Sequence, residues 1–216
     1  TPLFQMTNIL ITAATQNELD TWVGINTSES FLTGVGIPQT FSTLSQNLTN
    51  ADGFPTGAMF GVVNAIKHLQ RHYPQAKIIA IFDAKGKNHR HDIYPEYKAH
   101  RKPADEELVM QIDPLYEIIR AMGFHFICVP GVEADDVIAT LAKQAAAENK
   151  DVLISTGDKD FAQCVNEHVQ LINTMTGVQL DVKGVKEKFG VEPSGIVDYL
   201  SLIGDKVDNI PGITKV

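Results

Sequence analysis

The sequence predicts an α/β fold, an open and mostly parallel sheet flanked by helices. Two observations carry that reading. Lys77 to Phe82 (KIIAIF) is a near-continuous apolar run of strand length, as expected for a strand covered on both faces. Strand-like runs then alternate with segments of helical period along the rest of the chain, which is the signature of βαβ units.

The elements follow in order. Residues 1–46 are polar, Thr-rich and nearly uncharged, with only Glu18, Asp20 and Glu29 ionised. Ile9-Leu10-Ile11 has strand character and 31–41 reads as loop, but no period is sustained, so 1–46 is set apart as an atypical, weakly structured segment. Asp52-Gly53 marks a turn, and Thr56 is positioned to cap a helix from Gly57 to Tyr73. In that helix Met59, Val62, Val63, Ile66 and Leu69 recur at helical spacing. A second helix is expected from Ala104 to Met122, closed by Gly123. Strand His125–Val129, helix Glu133–Ala147 and strands Val152–Ser155 and Val169–Asn173 come next. Short helices near Val182–Phe189 and Pro193–Leu202 end the series. The division is 1–46, a core over 47–181, and a helical region over 182–216.

Composition narrows the class. Hydrophobic residues make up 44% and charged residues 20%, which is globular rather than disordered. No apolar run reaches the ~18 residues of a spanning helix. Cys128 and Cys164 have no C-x-x-C spacing, so free thiols in a reducing compartment are expected. The start lacks a secretory n-region, and the expected location is cytoplasmic.

In a parallel α/β sheet, ligands bind beyond the carboxyl ends of the strands. Asp83 follows KIIAIF directly. Glu133, Asp135 and Asp136 open the helix after the HFICV run, and Asp158 and Asp160 follow VLIS. Asp205 and Asp208 add two more from a loop. Singly, such acids are ordinary, since a first-turn acid favours the helix dipole and Asp is a common turn former. Together, eight carboxylates on one edge repel unless cations neutralise them. With His and Cys absent from these positions, hard divalent cations, Mg²⁺ or Mn²⁺, are the matching partners. Two such ions suit in-line displacement at a phosphodiester.

Net charge is −8, which argues against a generally basic, nucleic-acid-binding surface. Yet 1–66 contain no Lys or Arg, while Lys85, Lys87, Arg90, Lys98, Arg101 and Lys102 supply six of the 18 in one short window. Lys98 and Arg101 are expected on one side of a helical turn at i, i+3. A phosphate-bearing substrate entering an acidic pocket needs such cations to steer it and to offset developing charge. His89-x-His91 lacks further soft ligands and is not read as a zinc pair.

The stretches PTGAMFGVVN (55–64), IFDAKGK (81–87), YKAHRKP (97–103), GVEADDVIATLA (131–142), VLISTGDKDFAQ (152–163), LINTMTG (171–177) and GDKVDNIPG (204–212) closely resemble the 5′-nuclease domains of bacterial DNA polymerase I, relatives of flap endonucleases. The resemblance covers roughly three-quarters of the chain. It implies the PIN-like 5′-nuclease fold, two Mg²⁺ ions with Mn²⁺ able to substitute, and duplex DNA with a 5′ end or 5′ flap as substrate. It also implies a polymerase domain in longer parent chains, and a part in primer removal and repair. By resemblance, Asp83, Glu133 and Asp135 match ligands of one metal. Asp136, Asp158, Asp160, Asp205 and Asp208 match ligands or water-mediated partners of the other. Lys98 and Arg101 match cations at the scissile phosphate, on an arch spanning about 85–103 that also carries Lys85, Lys87, Arg90 and Lys102.

Two departures stand out. The family's first strand runs into Asp-Gly, and that Asp is a metal ligand; here Ile9-Leu10-Ile11 leads into Thr12-Ala13-Ala14. The family also continues past Val216 into a helix–hairpin–helix that grips the duplex, of which 182–216 is only the start. A rival reading is therefore a DNA-binding remnant that holds flapped DNA without efficient cleavage. Taking Asp158-Lys159-Asp160 as the D-x-D of a phosphatase would place the nucleophile after the wrong strand and leave the other acids unexplained.

Overall fold

A computed structural model describes residues 9–14, 48–101, 104–173 and 176–213; for 9–14 the description is of the backbone. Among the described residues six strands form one sheet in the order β3-β2-β1-β4-β5-β6. They are β1 (Ile9–Ala14), β2 (Lys77–Phe82), β3 (His125–Cys128), β4 (Val152–Ser155), β5 (Val169–Ile172) and β6 (Gln179–Leu180). The first five run parallel, and β6 adds an antiparallel edge. The strand expected at Ile9–Ile11 is longer and lies at the centre. Thr12 is level with Ala80 on one side and Ser155 on the other, so six residues from before the boundary at 47 join the core sheet. The remainder of 1–46, including the expected loop at 31–41, lies outside the described residues.

Among the described residues the helices are α1 (Gly57–His72), α2 (His89–Ile93), α3 (Glu106–Ala121), α4 (Ala134–Ala147), α5 (Val182–Phe189) and α6 (Ile196–Ile203). Alternation along β2 explains its apolar run. Ile78, Ala80 and Phe82 enter a core with Val62, Ile66 and Leu69 of α1 and Leu115 and Ile119 of α3. Ile81 enters the opposite core with Ile138 of α4, Ile154, Val169 and Ile196. A strand buried on both faces has no polar side to show.

Thr56 does not cap α1; its hydroxyl donates to the Leu48 carbonyl instead. The cap comes from α3, where buried Gln111 accepts from the Ala58 and Met59 amides at 2.8 and 3.3 Å. A buried amide oxygen thus satisfies first-turn donors that local sequence leaves open. α2 and β6 were not expected from the sequence, and both are too short for a period to register. Cys128 and Cys164 are free and half-buried. Among the described residues no helix is long and apolar enough to cross a membrane.

Candidate active site

Strand order reverses between β1 and β4, and open α/β sheets bind ligands in the crevice at such a point. A cleft of about 470 Å³ lies there, walled by Glu133, Asp135, Asp136, Asp158, Asp160, Asp205 and Asp208 and, opposite, by Arg90, Tyr94, Tyr97, Lys98 and Arg101.

Local geometry aims each acid. Asp83 ends β2 and accepts from the Ala134 amide at 2.7 Å, which ties the β2 exit to the start of α4. Glu133 is the N-cap of α4 in extended backbone, and the Asp136 carboxylate accepts from the Glu133 amide at 3.3 Å. Asp158 precedes a 3₁₀ turn, Lys159–Cys164, and accepts from the Asp160 amide at 2.9 Å. Asp205 and Asp208 sit on a loop after α6 pinched shut by the Asp205–Ile210 bridge. Gly204 (φ 71°) and Gly212 permit this loop: a Cβ on Gly204 would meet the Gly212 nitrogen at 2.3 Å.

The cations of the basic window rest on these acids. Arg90 grips Asp136 in a two-pronged pair at 2.6 and 2.7 Å and lies 3.4 Å from Glu133. Lys98 Nζ is 2.6 Å from Glu133 Oε1 and 3.8 Å from Asp208 Oδ2. Arg101 bonds the other Asp208 oxygen. Lys159 pairs with Asp205 at 2.9 Å. The Tyr97 hydroxyl stands between Glu133 (3.0 and 3.1 Å) and Asp208 (3.0 Å). Asn88, the N-cap of α2, donates to Glu133 at 2.8 Å. The repulsion expected among the acids is thus met in large part by the chain's own cations.

Ionisation follows this pairing. Burial opposes the charge on Glu133, yet hydrogen bonding and attraction from Lys98 hold its carboxyl below the usual range. The Arg90 hydrogen bonds lower Asp136. At Asp205, burial is outweighed by Lys159 and two backbone donors, and the carboxyl is lowered. Burial raises Asp83 despite the Ala134 donor, and raises Asp158, with the charges of Asp208 and Asp205 adding to it. Asp160 goes furthest: burial, then the charges of Asp158 and Asp205, push it up to about 6. Burial and the facing carboxylates also keep the Tyr97 phenol protonated, so it remains a donor.

Asp160 Oδ1 and Arg101 Nε are buried and have no hydrogen-bond partner among the described residues. One calls for a cation or donor and the other for an anion or acceptor. The carboxylates gathered around Asp160 are oxygen donors, which suit a hard divalent ion. Among the described residues, however, no three His, Cys, Asp or Glu side chains already stand together as a metal-holding group; several carboxylates are turned to their cationic partners. The residues fit a hard divalent ion in kind.

The structure brings Asp83, Glu133, Asp135, Asp136, Asp158, Asp160, Asp205, Asp208, Arg90, Lys98 and Arg101 to this one edge. Lys85 stands apart in an exposed pair with Asp113, Lys87 is exposed, and Lys102 lies outside the described residues. The helical turn expected at Lys98–Arg101 is instead a chain of tight turns with Lys98 left-handed at φ 55°. Tyr97, Asn88 and Lys159 were missed by sequence reasoning. Tyr97 and Lys159 each adjoin a residue that was singled out, the one signal that marks them.

Comparison with known proteins defines the class first. The family model described as 5′-3′ exonuclease, N-terminal resolvase-like domain, matches residues 37–190, and the chain belongs to that family. Among particular relatives, it is 53% identical over 169 residues to DNA polymerase I of Pseudomonas aeruginosa, covering 78% of this chain and 18% of that protein. It is 41% identical over 169 residues to a 5′-3′ exonuclease of Aquifex aeolicus, covering 78% and 58%. The chain therefore spans less than two-thirds of the length of these relatives. In fold it is similar to the bacteriophage T5 D15 protein co-crystallised with metal ions, at TM-score 0.72, 20% identity and coverage of 97% and 71%. It is likewise similar to a T5 D15 flap endonuclease complex with DNA and metal ions, at TM-score 0.68 and 20% identity, covering 97% and 71%.

Proposed function

We propose that this chain is a structure-specific 5′ nuclease that hydrolyses phosphodiester bonds at 5′ ends or 5′ flaps of duplex DNA. The observation that supports this most directly is the pair of unmet polar atoms, Asp160 Oδ1 and Arg101 Nε, in one cleft of a 5′-3′ exonuclease family member. A divalent metal and a phosphate together satisfy that demand. Asp83, Glu133 and Asp135 would hold one Mg²⁺, and Asp136, Asp158, Asp160, Asp205 and Asp208 would hold or orient water around a second, with Mn²⁺ able to replace either. Bound there, such ions supply an activated water and charge stabilisation at the leaving oxygen.

The chain's own cations do the rest. Lys98 and Arg101 face the acids from across the cleft, where they orient the scissile phosphate and offset its developing charge. Arg90 anchors the near end of the arch and extends the cationic track for the DNA backbone. Lys85, Lys87 and Lys102 contribute at longer range, screened by salt. A longer parent chain that carries a polymerase accords with the name of the Pseudomonas relative; a role in primer removal and repair, in the cytoplasm, belongs to the same reading.

One observation favours a second reading, an impaired protein that holds flapped DNA. β1, at the heart of the crevice, ends in Thr12-Ala13-Ala14 and delivers no acid from the described residues. The test is incubation of the purified chain with a labelled 5′-flap duplex in Mg²⁺, Mn²⁺ or EDTA, with binding measured alongside. Metal-dependent release of the flap supports the nuclease. Binding without release under any metal supports the remnant, and neither binding nor release would refute both.

A further inference from the structure

The segment 94–101 is fastened to the acidic floor at four levels. The Lys98 amide donates to the Asp208 carbonyl at 3.1 Å. The Asn209 side chain donates to the Glu96 carbonyl at 2.8 Å, and the Tyr94 hydroxyl to the Asn209 carbonyl at 3.3 Å. The Lys98 ammonium lies between Glu133 and Asp208, and Arg101 takes the remaining Asp208 oxygen. Lys98 adopts positive φ (55°), a strained conformation for a long side chain that persists only when the surroundings impose it, and Asn209 opposite, a residue type that tolerates this region, does so at 61°.

Lys98 Nζ therefore occupies the place that a cation bridging Glu133 and Asp208 would take. These two carboxylates come from different segments and have no direct link in sequence. An ammonium and a divalent ion repel strongly at the short separations this gap allows, and a carboxylate oxygen bonded to Lys98 at 2.6 Å has little freedom to ligate a metal. Resting on the nuclease reading above, we infer that Lys98 and Arg101 form an intrinsic counter-ion latch. Divalent metal competes with Lys98 for Glu133 and Asp208, and metal loading releases 94–101 so that Lys98 and Arg101 become available to phosphate. By linkage, whatever the latch costs the metal, the metal costs the latch.

The experiment uses metal alone, without DNA. Mn²⁺ affinity is measured by electron paramagnetic resonance for the parent, Lys98→Met and, as a control, Lys150→Met, which removes an exposed cation paired with Glu148. Amide exchange at Lys98 is followed in the parent with and without Mg²⁺, so a poorly folding variant does not decide the matter. Lys98→Met should bind Mn²⁺ about 10-fold more tightly, within the usual range of coupling between sites. Lys150→Met should match the parent. Exchange at Lys98 should accelerate on metal binding while that at Ile210, held locally by the Asp205 carbonyl, stays constant. If metal binds but Lys98→Met is unchanged or weaker, or Lys150→Met gains as much, or Lys98 stays protected, the latch is overturned and the nuclease reading stands. If neither parent nor variant binds Mn²⁺ at millimolar concentration, both are overturned.

Discussion

Replacing Asp160 by Asn should stabilise the metal-free protein while abolishing its metal response. Burial and the charges of Asp158 and Asp205 lift the Asp160 carboxyl from 3.8 to about 6. At ~1.4 kcal/mol per tenfold change, a shift of this size caps the cost of ionising it at ~3 kcal/mol; partial exposure and screening bring the expected figure to ~1 kcal/mol. Because the folded-state value is raised, ionisation favours the unfolded chain. The penalty is absent below roughly pH 4, where the carboxyl is protonated in both states, grows as pH rises, and is complete above about pH 6. Asn carries no charge, and its amide can donate to the neighbouring carboxylates. In EDTA at neutral pH the variant should melt ~2–4 °C above the parent, as ~1 kcal/mol implies for a chain of this size. The gap should close as pH falls to roughly 4. Added Mg²⁺ should raise the parent's melting point, as any ligand selective for the native state does, and raise that of Asp160→Asn far less. Thermal melts over that pH range, with EDTA or Mg²⁺, check each part. A variant no more stable than the parent at neutral pH, or a gap independent of pH, would refute the electrostatic account of Asp160.

Three further outcomes are expected. Lys98→Ala should slow flap cleavage by about 10²-fold with less effect on DNA affinity, as loss of one electrostatic donor does, whereas Arg101→Ala should also weaken binding and reduce the salt slope by about one; single-turnover rates and salt titrations separate the two. Grafting Asp-Gly at the end of β1, in place of residues 12–13, should increase the cleavage rate and lower the Mg²⁺ requirement; an unchanged Mg²⁺ titration would show that the site is complete without that acid. Gly204→Ala should disrupt the Asp205–Asp208 loop, because its Cβ would lie 2.3 Å from backbone at Gly212; Mn²⁺ affinity should fall although no acid has been touched.

The legible part of this fold was whatever local pattern specifies. Strands covered on both faces and helices with one apolar stripe announce themselves: α1, β2, α3, β3, α4, β4, β5 and α5 lie within two residues of expectation, α6 begins three residues later than expected, and α2 and β6 went unseen. The acids were legible because strand ends in a parallel sheet point to one edge, so position alone brings Asp83, Glu133 and Asp158 together. What stayed hidden depends on contacts across long sequence separations. The cap of α1 comes from Gln111, 53 residues away, and Thr56, a good local candidate, turned elsewhere. The pairing of Lys98 with Glu133 spans 35 residues and that of Arg101 with Asp208 spans 107. Nothing in a charge run says which acid it will meet. β1 was underestimated for the opposite reason: its central place comes from parallel neighbours on both sides, not from its own weak pattern.

The acidic floor is built in three pieces on different supports. Glu133 and Asp136 hang on the start of α4, Asp158 and Asp160 on the 3₁₀ turn after β4, and Asp205 and Asp208 on the glycine-pinched loop after α6. Asp83 fixes the first piece to β2 through the Ala134 amide, and Lys159 ties the second to the third. Between the first and third, the hydrogen bonds and ion pairs run through Tyr97 and Lys98. The Tyr97–Lys98 segment is therefore a structural member of the acid cluster as well as its counter-charge. Spacing between Glu133 and Asp208 is set by the segment that carries Lys98 and Arg101. On the nuclease reading proposed above, a phosphate that drew Lys98 toward itself would also loosen a brace between the acids, so grip on the anion and geometry of the acidic floor would be adjusted by the same few side chains.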